Sequence, residues 1–232
     1  MKMRFKGSSV VAAVAFAGLV ALPARATLTV TMSAVGLVVN CVNITSTEVF
    51  CSGTGGGYTA SITTAIDNSP GGPATLQKTI NIEATGAAIG NPMTITGSDQ
   101  NFVLPSGVAT LTETLNANTP VGPTTATGSV TATGYLSNTN TLGDVSGANT
   151  GPASLSTFLV GANDTASTTT NFKTPFALDE VLTASFTSAG FAAFTSTLAA
   201  TAPVPEPASV MLLGGVLLFV ARAARRRRVA RT

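Results

Sequence analysis

Between Thr27 and Pro203 the chain carries few groups able to do chemistry: nine carboxylates, two lysines, two cysteines, two tyrosines and no histidine. Without histidine, the usual general base near neutral pH, a Ser-His-Asp or Cys-His site is excluded. What remains is a carboxylate pair, the arrangement glycosidases use to cleave sugar polymers. The candidates are Glu48, Asp67, Glu83, Asp99, Glu113, Asp144, Asp164, Asp179 and Glu180. Most flank turn signals or fall on polar strand faces, where solvation is expected. Asp179 and Glu180 are adjacent in a strand pattern, so they point to opposite faces. We therefore expect no enzyme and assign no catalytic residue.

Other chemistries are similarly thin. Sugar recognition uses aromatic platforms; tryptophan is absent, and Tyr58 and Tyr135 are the only polar aromatics. The eleven phenylalanines fall mostly on apolar strand positions and read as core. Asn138, Asn140 and Asp144 share one loop and offer oxygen ligands for calcium, but their spacing matches no EF-hand. With two cysteines and no histidine, zinc is improbable, and no cofactor or metal is assigned. Asn43 and Asn163 begin Asn-x-Thr triplets, and Thr168, Thr169 and Thr170 form a hydroxyl cluster; solvated loop and edge chemistry accounts for both.

Cys41 and Cys51 stand at equal distance from Ser46, between segments 38–44 and 48–52 that read as short strands. A hairpin there would set them opposite each other, and an oxidising compartment would join them. Closing so short a loop stabilises by roughly 3 kcal/mol in the chain-entropy picture.

The elements that must position these groups read as strands. Period-two segments recur at 27–32, 58–66, 77–85, 109–115, 129–136, 176–186 and 192–198, although Glu180 interrupts the apolar face of 176–186. Gly/Pro/Asn clusters separate them at 68–73, 90–92 and 118–123. This predicts an all-β domain over 27–198, a single β-sandwich or jelly-roll, with almost no helix. Residues 199–204 read as an exposed spacer. The body holds only Lys78 and Lys173 against nine acids, a net charge of −7, so it offers no basic surface for nucleic acid.

The basic residues are instead crowded at the ends. Met1 to Lys6 is basic, Ser8 to Leu22 is apolar, and Ala24 and Ala26 flank Arg25. That is the tripartite pattern of a secretory signal helix at 1–26, cleaved after Ala26 by a signal peptidase once the secretion machinery has engaged it. At the other end Pro205, Glu206 and Pro207 precede an apolar run from Ala208 to Ala224, broken only by Arg222. Seventeen helical residues reach about 25 Å, slightly less than the hydrocarbon core. Arg225, Arg226, Arg227, Arg228 and Arg231 follow, and with Arg222 they form a cytoplasmic basic tail that leaves the body outside.

Pro-Glu-Pro, a short transmembrane helix and a terminal arginine cluster, in that order over 205–232, resemble the PEP-CTERM sorting signal of Gram-negative bacteria. The resemblance implies export, transient inner-membrane anchoring with the body periplasmic, and tail removal near Glu206 by an exosortase-type membrane protease. It further implies delivery to the cell surface or beyond, in association with exopolysaccharide and biofilm matrix. It covers the sorting route only. For the body, the expectation is a non-catalytic structural or adhesive protein, the alternative a polysaccharide-binding module, with calcium assistance as one form of it.

Overall fold

A computed structural model describes residues 27–43, 47–67 and 73–203. Both chain ends, with Ala24, Ala26, Pro205, Glu206, Pro207, Arg222, Arg225, Arg226, Arg227, Arg228 and Arg231, lie outside the described residues. Among the described residues there is no helix long and apolar enough to cross a membrane.

The described residues form twelve strands: β1 (Leu28–Ala34), β2 (Leu37–Asn43), β3 (Glu48–Gly55), β4 (Tyr58–Asp67), β5 (Ala74–Ala84), β6 (Met93–Phe102), β7 (Gly107–Ala117), β8 (Gly128–Ser137), β9 (Ala148–Leu155), β10 (Asn163–Phe172), β11 (Phe176–Phe186) and β12 (Gly190–Thr201). One short 3-10 turn, Gly86–Ala88, joins β5 to β6. The strands form two six-stranded antiparallel sheets. The first has the order β2-β1-β6-β11-β8-β9, the second β10-β7-β12-β5-β4-β3. Their inner faces share one apolar core, as the all-β expectation requires.

Alternation sets the faces. In β4, Tyr58, Ala60, Ile62, Thr64 and Ile66 point inward while their neighbours face out. Phe158, Phe186 and Phe194 stack at one end of the core, with Tyr58 edge-on to Phe186 at 5.6 Å. Phe102, Phe172 and Phe176 fill another part. The β3–β4 hairpin turns on Gly56 and Gly57, both at positive φ, the conformation a two-residue turn demands. A Cβ on Gly56 would come within 1.7 Å of the Val35 carbonyl, so only glycine fits where the two hairpin tips touch.

Three strands lie where no strand was expected. β6 reads Met-Thr-Ile-Thr-Gly-Ser-Asp-Gln-Asn-Phe, polar enough to pass for a loop, yet it is central in its sheet. β9 contains Gly151 and Pro152, turn residues tolerated because β9 is an edge strand with a register break beside it. β10 has no apolar alternation because its inward positions, Asp164, Ala166, Thr168 and Thr170, are themselves mostly polar and only half-buried at the sheet edge. A further correction concerns the C-terminal boundary: β12 runs to Thr201, so Ala199, Ala200 and Thr201 are strand, hydrogen-bonded to β5 and β7, rather than spacer.

The cysteine geometry also differs from expectation. Cys41 and Cys51 are bonded, with Cα atoms 5.8 Å apart, but β2 and β3 form no hairpin. β2 pairs with β1 and β3 pairs with β4. The disulfide therefore ties an edge of one sheet to an edge of the other. At the opposite side the edge strands β9 and β10 meet, where the Ser154 N–H donates to Asp164 Oδ2 at 2.7 Å.

Candidate functional site: a buried ionic centre

Besides β4 with Thr64, four strands of the core carry one polar residue each at an inward position between two apolar ones. Lys78 sits between Leu76 and Ile80 in β5, Glu113 between Leu111 and Leu115 in β7, Glu180 between Leu178 and Leu182 in β11, and Ser196 between Phe194 and Leu198 in β12. Alternation alone sends all four inward. Pairing then collects them. Across the second sheet Lys78 is opposite Ser196, and Leu198, two residues on, is opposite Glu113. In the first sheet Glu180 is flanked on both sides by glycine, Gly97 of β6 and Gly134 of β8.

Those two glycines make the room. A Cβ at Gly97 would lie 2.2 Å from Lys78 Cε, and one at Gly134 would lie 2.1 Å from Leu198 Cδ1. The Lys78 side chain crosses from the second sheet over bare backbone to reach Glu180, with Nζ 2.6 Å from Oε2 and both side chains fully buried. Ser196 Oγ lies 2.7 Å from Glu113 Oε1 and also contacts Glu180 Oε1. A hydroxyl has one proton to donate, so it cannot satisfy two carboxylates at once. One carboxyl must carry its own proton. Glu113 is that one: burial, then the charge of Glu180, pushes it up to about 9, against the opposing effects of Ser196 and Lys78. The centre is thus neutral as a whole, with Glu113 as acid donating to Ser196, Ser196 donating to Glu180, and Glu180 as carboxylate paired with Lys78.

Two further acids are buried. Asp99, on the inner face of β6, is pushed up to about 7, mainly by burial. Asp179 points to the outer face of the first sheet, as alternation with Glu180 requires, but the loop between β8 and β9 covers it. The Gly143 N–H donates to its Oδ1 at 2.6 Å, and burial still raises it to about 6. Asp99, Glu113, Asp179 and Glu180 therefore correct the expectation of solvated acids. Inward alternation places three of them, and a covering loop seals the fourth. The signal was present as the single polar residue in each otherwise apolar face, together with Gly97 and Gly134 inside strands, where glycine marks a close approach.

The remaining candidates lie apart. Glu48 and Asp67 are exposed at strand ends. Glu83 faces outward into an open groove of roughly 340 Å³ on the second sheet, lined also by Ser52, Thr59, Ser61, Asn81 and Phe191. Asp144 accepts from Ser146, Ser137 and Thr139, which hold its carboxyl below the usual range. Asn138 Oδ1 accepts from the Lys173 N–H and Asn140 Oδ1 from the Asn101 N–H. The proposed calcium oxygens are thus taken up by protein donors in different directions. Among the described residues no group of three or more acidic, cysteine or histidine side chains is arranged to hold a metal. Tyr58 is buried, its hydroxyl held against the Ala88 and Asn91 carbonyls, so it is no sugar platform. Tyr135 remains half-exposed on the outer face of β8. Asn43 and Asn163 donate their amide N–H groups to the Glu48 and Gly161 carbonyls.

The family model of the PEP-CTERM protein-sorting motif matches residues 203–228, the stretch containing Pro205, Glu206, Pro207 and the first arginines of the tail. The chain carries a PEP-CTERM sorting motif. That motif makes it an exported protein of the exosortase route, anchored transiently in the membrane before its tail is cut. No curated protein matches the chain. Among solved structures, the enzymatically active domain of bacteriophage CBA120 tailspike protein 4 aligns over 72% of this chain and 18% of that one, at 9% identity and a TM-score of 0.31. A likeness that slight says nothing about the site. The PEP-CTERM motif thus defines the route, and the body has to be read from its own geometry.

Proposed function

We infer that the domain is a non-catalytic structural or adhesive module, delivered by the exosortase route to the cell surface or extracellular matrix. The supporting observation is that Glu113 and Glu180, the two carboxylates that share Ser196, are sealed between the sheets and matched by Lys78 and Ser196. A hydrolase needs its acids at a cleft that admits polymer and water; here they serve the interior. The hydroxyl-rich, weakly charged outer faces and the disulfide at the sheet edges suit a passive module in an oxidising space.

The test is to follow the full chain in a host that carries the sorting machinery. Expected is a matrix or medium form lacking the tail beyond Glu206, showing no turnover on a panel of matrix glycans. A form that stays in the membrane with residues 208–232 intact would break the sorting part. Hydrolysis abolished by a single acid-to-amide change would break the non-catalytic part.

A second reading, a polysaccharide-binding module, is favoured by the groove on the outer face of the second sheet, where Phe191 lies among Ser, Thr, Asn and Glu side chains. It predicts saturable retention on matrix polymer, weakened by Phe191→Ala and unaffected by Tyr58→Phe.

A further inference from the structure

The ionic centre has the parts of a self-forming covalent bond. A lysine amine touches a carboxyl group inside the core, where both side chains are fully buried. A second carboxyl, itself protonated, is joined to the first through one hydroxyl. We propose that Lys78 and Glu180 condense spontaneously to an intramolecular isopeptide bond between Nζ and Cδ, with Glu113 and Ser196 as the proton relay.

Each part of the geometry is needed for that step. Nζ is 2.6 Å from Glu180 Oε2, so the nucleophile is already against the group it attacks. Both side chains are fully buried, so water cannot solvate the ions, and a product amide is shielded from hydrolysis. Gly97 leaves bare backbone beside Glu180, and the end of the Lys78 side chain lies in that space, while Leu198 packs over Gly134 on the other side. Nζ has no hydrogen-bond partner in the core beyond this ion pair, so nothing else holds it back.

The step balances without any co-reactant. The ammonium passes one proton to Glu180 Oε2. The freed nitrogen lone pair attacks Cδ, and the C=O electrons move to Oε1, which takes a proton from Ser196 as Ser196 takes one from Glu113. The Cδ–Oε2 bond then breaks; the departing hydroxyl collects a second nitrogen proton and leaves as water. The Oε1 proton returns through Ser196 to Glu113. An ion pair becomes an amide plus one water, no electron changes hands, and Glu113 ends as it began. The bond would join the two sheets at their centre, as Cys41–Cys51 joins them at an edge.

The test uses the exported, mature protein, denatured, reduced and digested with trypsin. Lys78 and Lys173 are the only basic residues from Thr27 to Ala221, so the digest is simple. An unlinked chain is cut after Lys78 and releases fragment 79–173. A linked chain resists cutting at Lys78, and its 27–173 fragment stays joined to the fragment holding Glu180, 18 Da lighter than the two together. The expected result is that linked species in most molecules, with tandem spectra locating the bond at Lys78 and Glu180. Lys78→Arg and Glu113→Gln should each be folded by circular dichroism and lack the 18 Da loss. Folded wild-type protein that mostly releases fragment 79–173 overturns the proposal. So does a linkage elsewhere, or undiminished linkage in Glu113→Gln.

Discussion

Glu113, in the middle of β7, and Asp144, in the loop between β8 and β9, carry the same functional group and end in opposite states. Glu113 is fully buried, pushed up to about 9, and holds its proton. Asp144 sits at the surface among Ser137, Thr139 and Ser146, whose donated hydrogen bonds hold it below the usual range. The difference comes from what can solvate the charge. At the surface, water and hydroxyls do so without cost to the fold. Between the sheets one lysine is available for two glutamates, so one of them gives up its charge. The lesson is that an acidic body need not have an acidic interior: the core centre sums to zero while the loops and edges carry the excess.

The largest effect should come from unbalancing that centre. Lys78→Met leaves Glu180 buried with no cation, and we expect a loss of about 3–5 kcal/mol in denaturant unfolding. Adding Glu180→Leu should recover at least half of it, because removing both partners leaves no orphaned charge. A single variant costing under about 1 kcal/mol would mean that the interior and surface acids do not differ as described.

Removing the covalent edge comes next. Cys41→Ser with Cys51→Ser should lower stability by about 3 kcal/mol, since the ten-residue separation sets the loop that the bond closes. Chemical reduction of the wild type should reproduce the drop in a thermal melt. No change on reduction would show that β2 and β3 are held together without the bond.

pH then separates the two classes of acid. Asp99 and Asp179, ordinarily near 3.8, are raised to about 7 and about 6, and Glu113, ordinarily near 4.5, to about 9. Groups raised on folding favour the native state while protonated. Their contribution is complete below about pH 4 and is lost as pH rises through 6 to 9. The melting temperature should therefore fall between pH 5 and pH 8, and Asp99→Asn should flatten that slope. A melting temperature that rises over this range would contradict the assignment of neutral buried acids.

The smallest effect belongs to the outer faces. Thr169→Ala, on the solvated face of the edge strand β10, should shift stability by less than ~0.5 kcal/mol. A larger loss would mean that the hydroxyl ladder of β10 contributes to the fold and not only to the surface.

Much of the domain was legible one strand at a time. β1, β4, β5, β7, β8, β11 and β12 show their alternation openly, and their glycine and proline turns bound them. β6 was hidden because its inner face is Met93, Ile95, Gly97 and Asp99, in which the glycine and acid exist for partners on other strands. β10 was hidden because an edge strand paired on one side to β7 is only half-buried on its inward face, where Asp164, Thr168 and Thr170 take the place of apolar residues. The disulfide was legible as a pair and illegible as a placement, since spacing alone cannot tell a hairpin from two strands that part into different sheets.

The sequence by itself determined the all-β character, the sorting motif over 203–228, the pairing of the two cysteines and the inward direction of Lys78, Glu113, Glu180 and Ser196. These are local properties, set by side-chain type and a period of two. Only the tertiary structure decided that the four polar residues meet. Glu113 and Ser196 are 83 residues apart in the chain, and Lys78 and Glu180 belong to opposite sheets. Their meeting follows from strand order and register, which no single strand specifies.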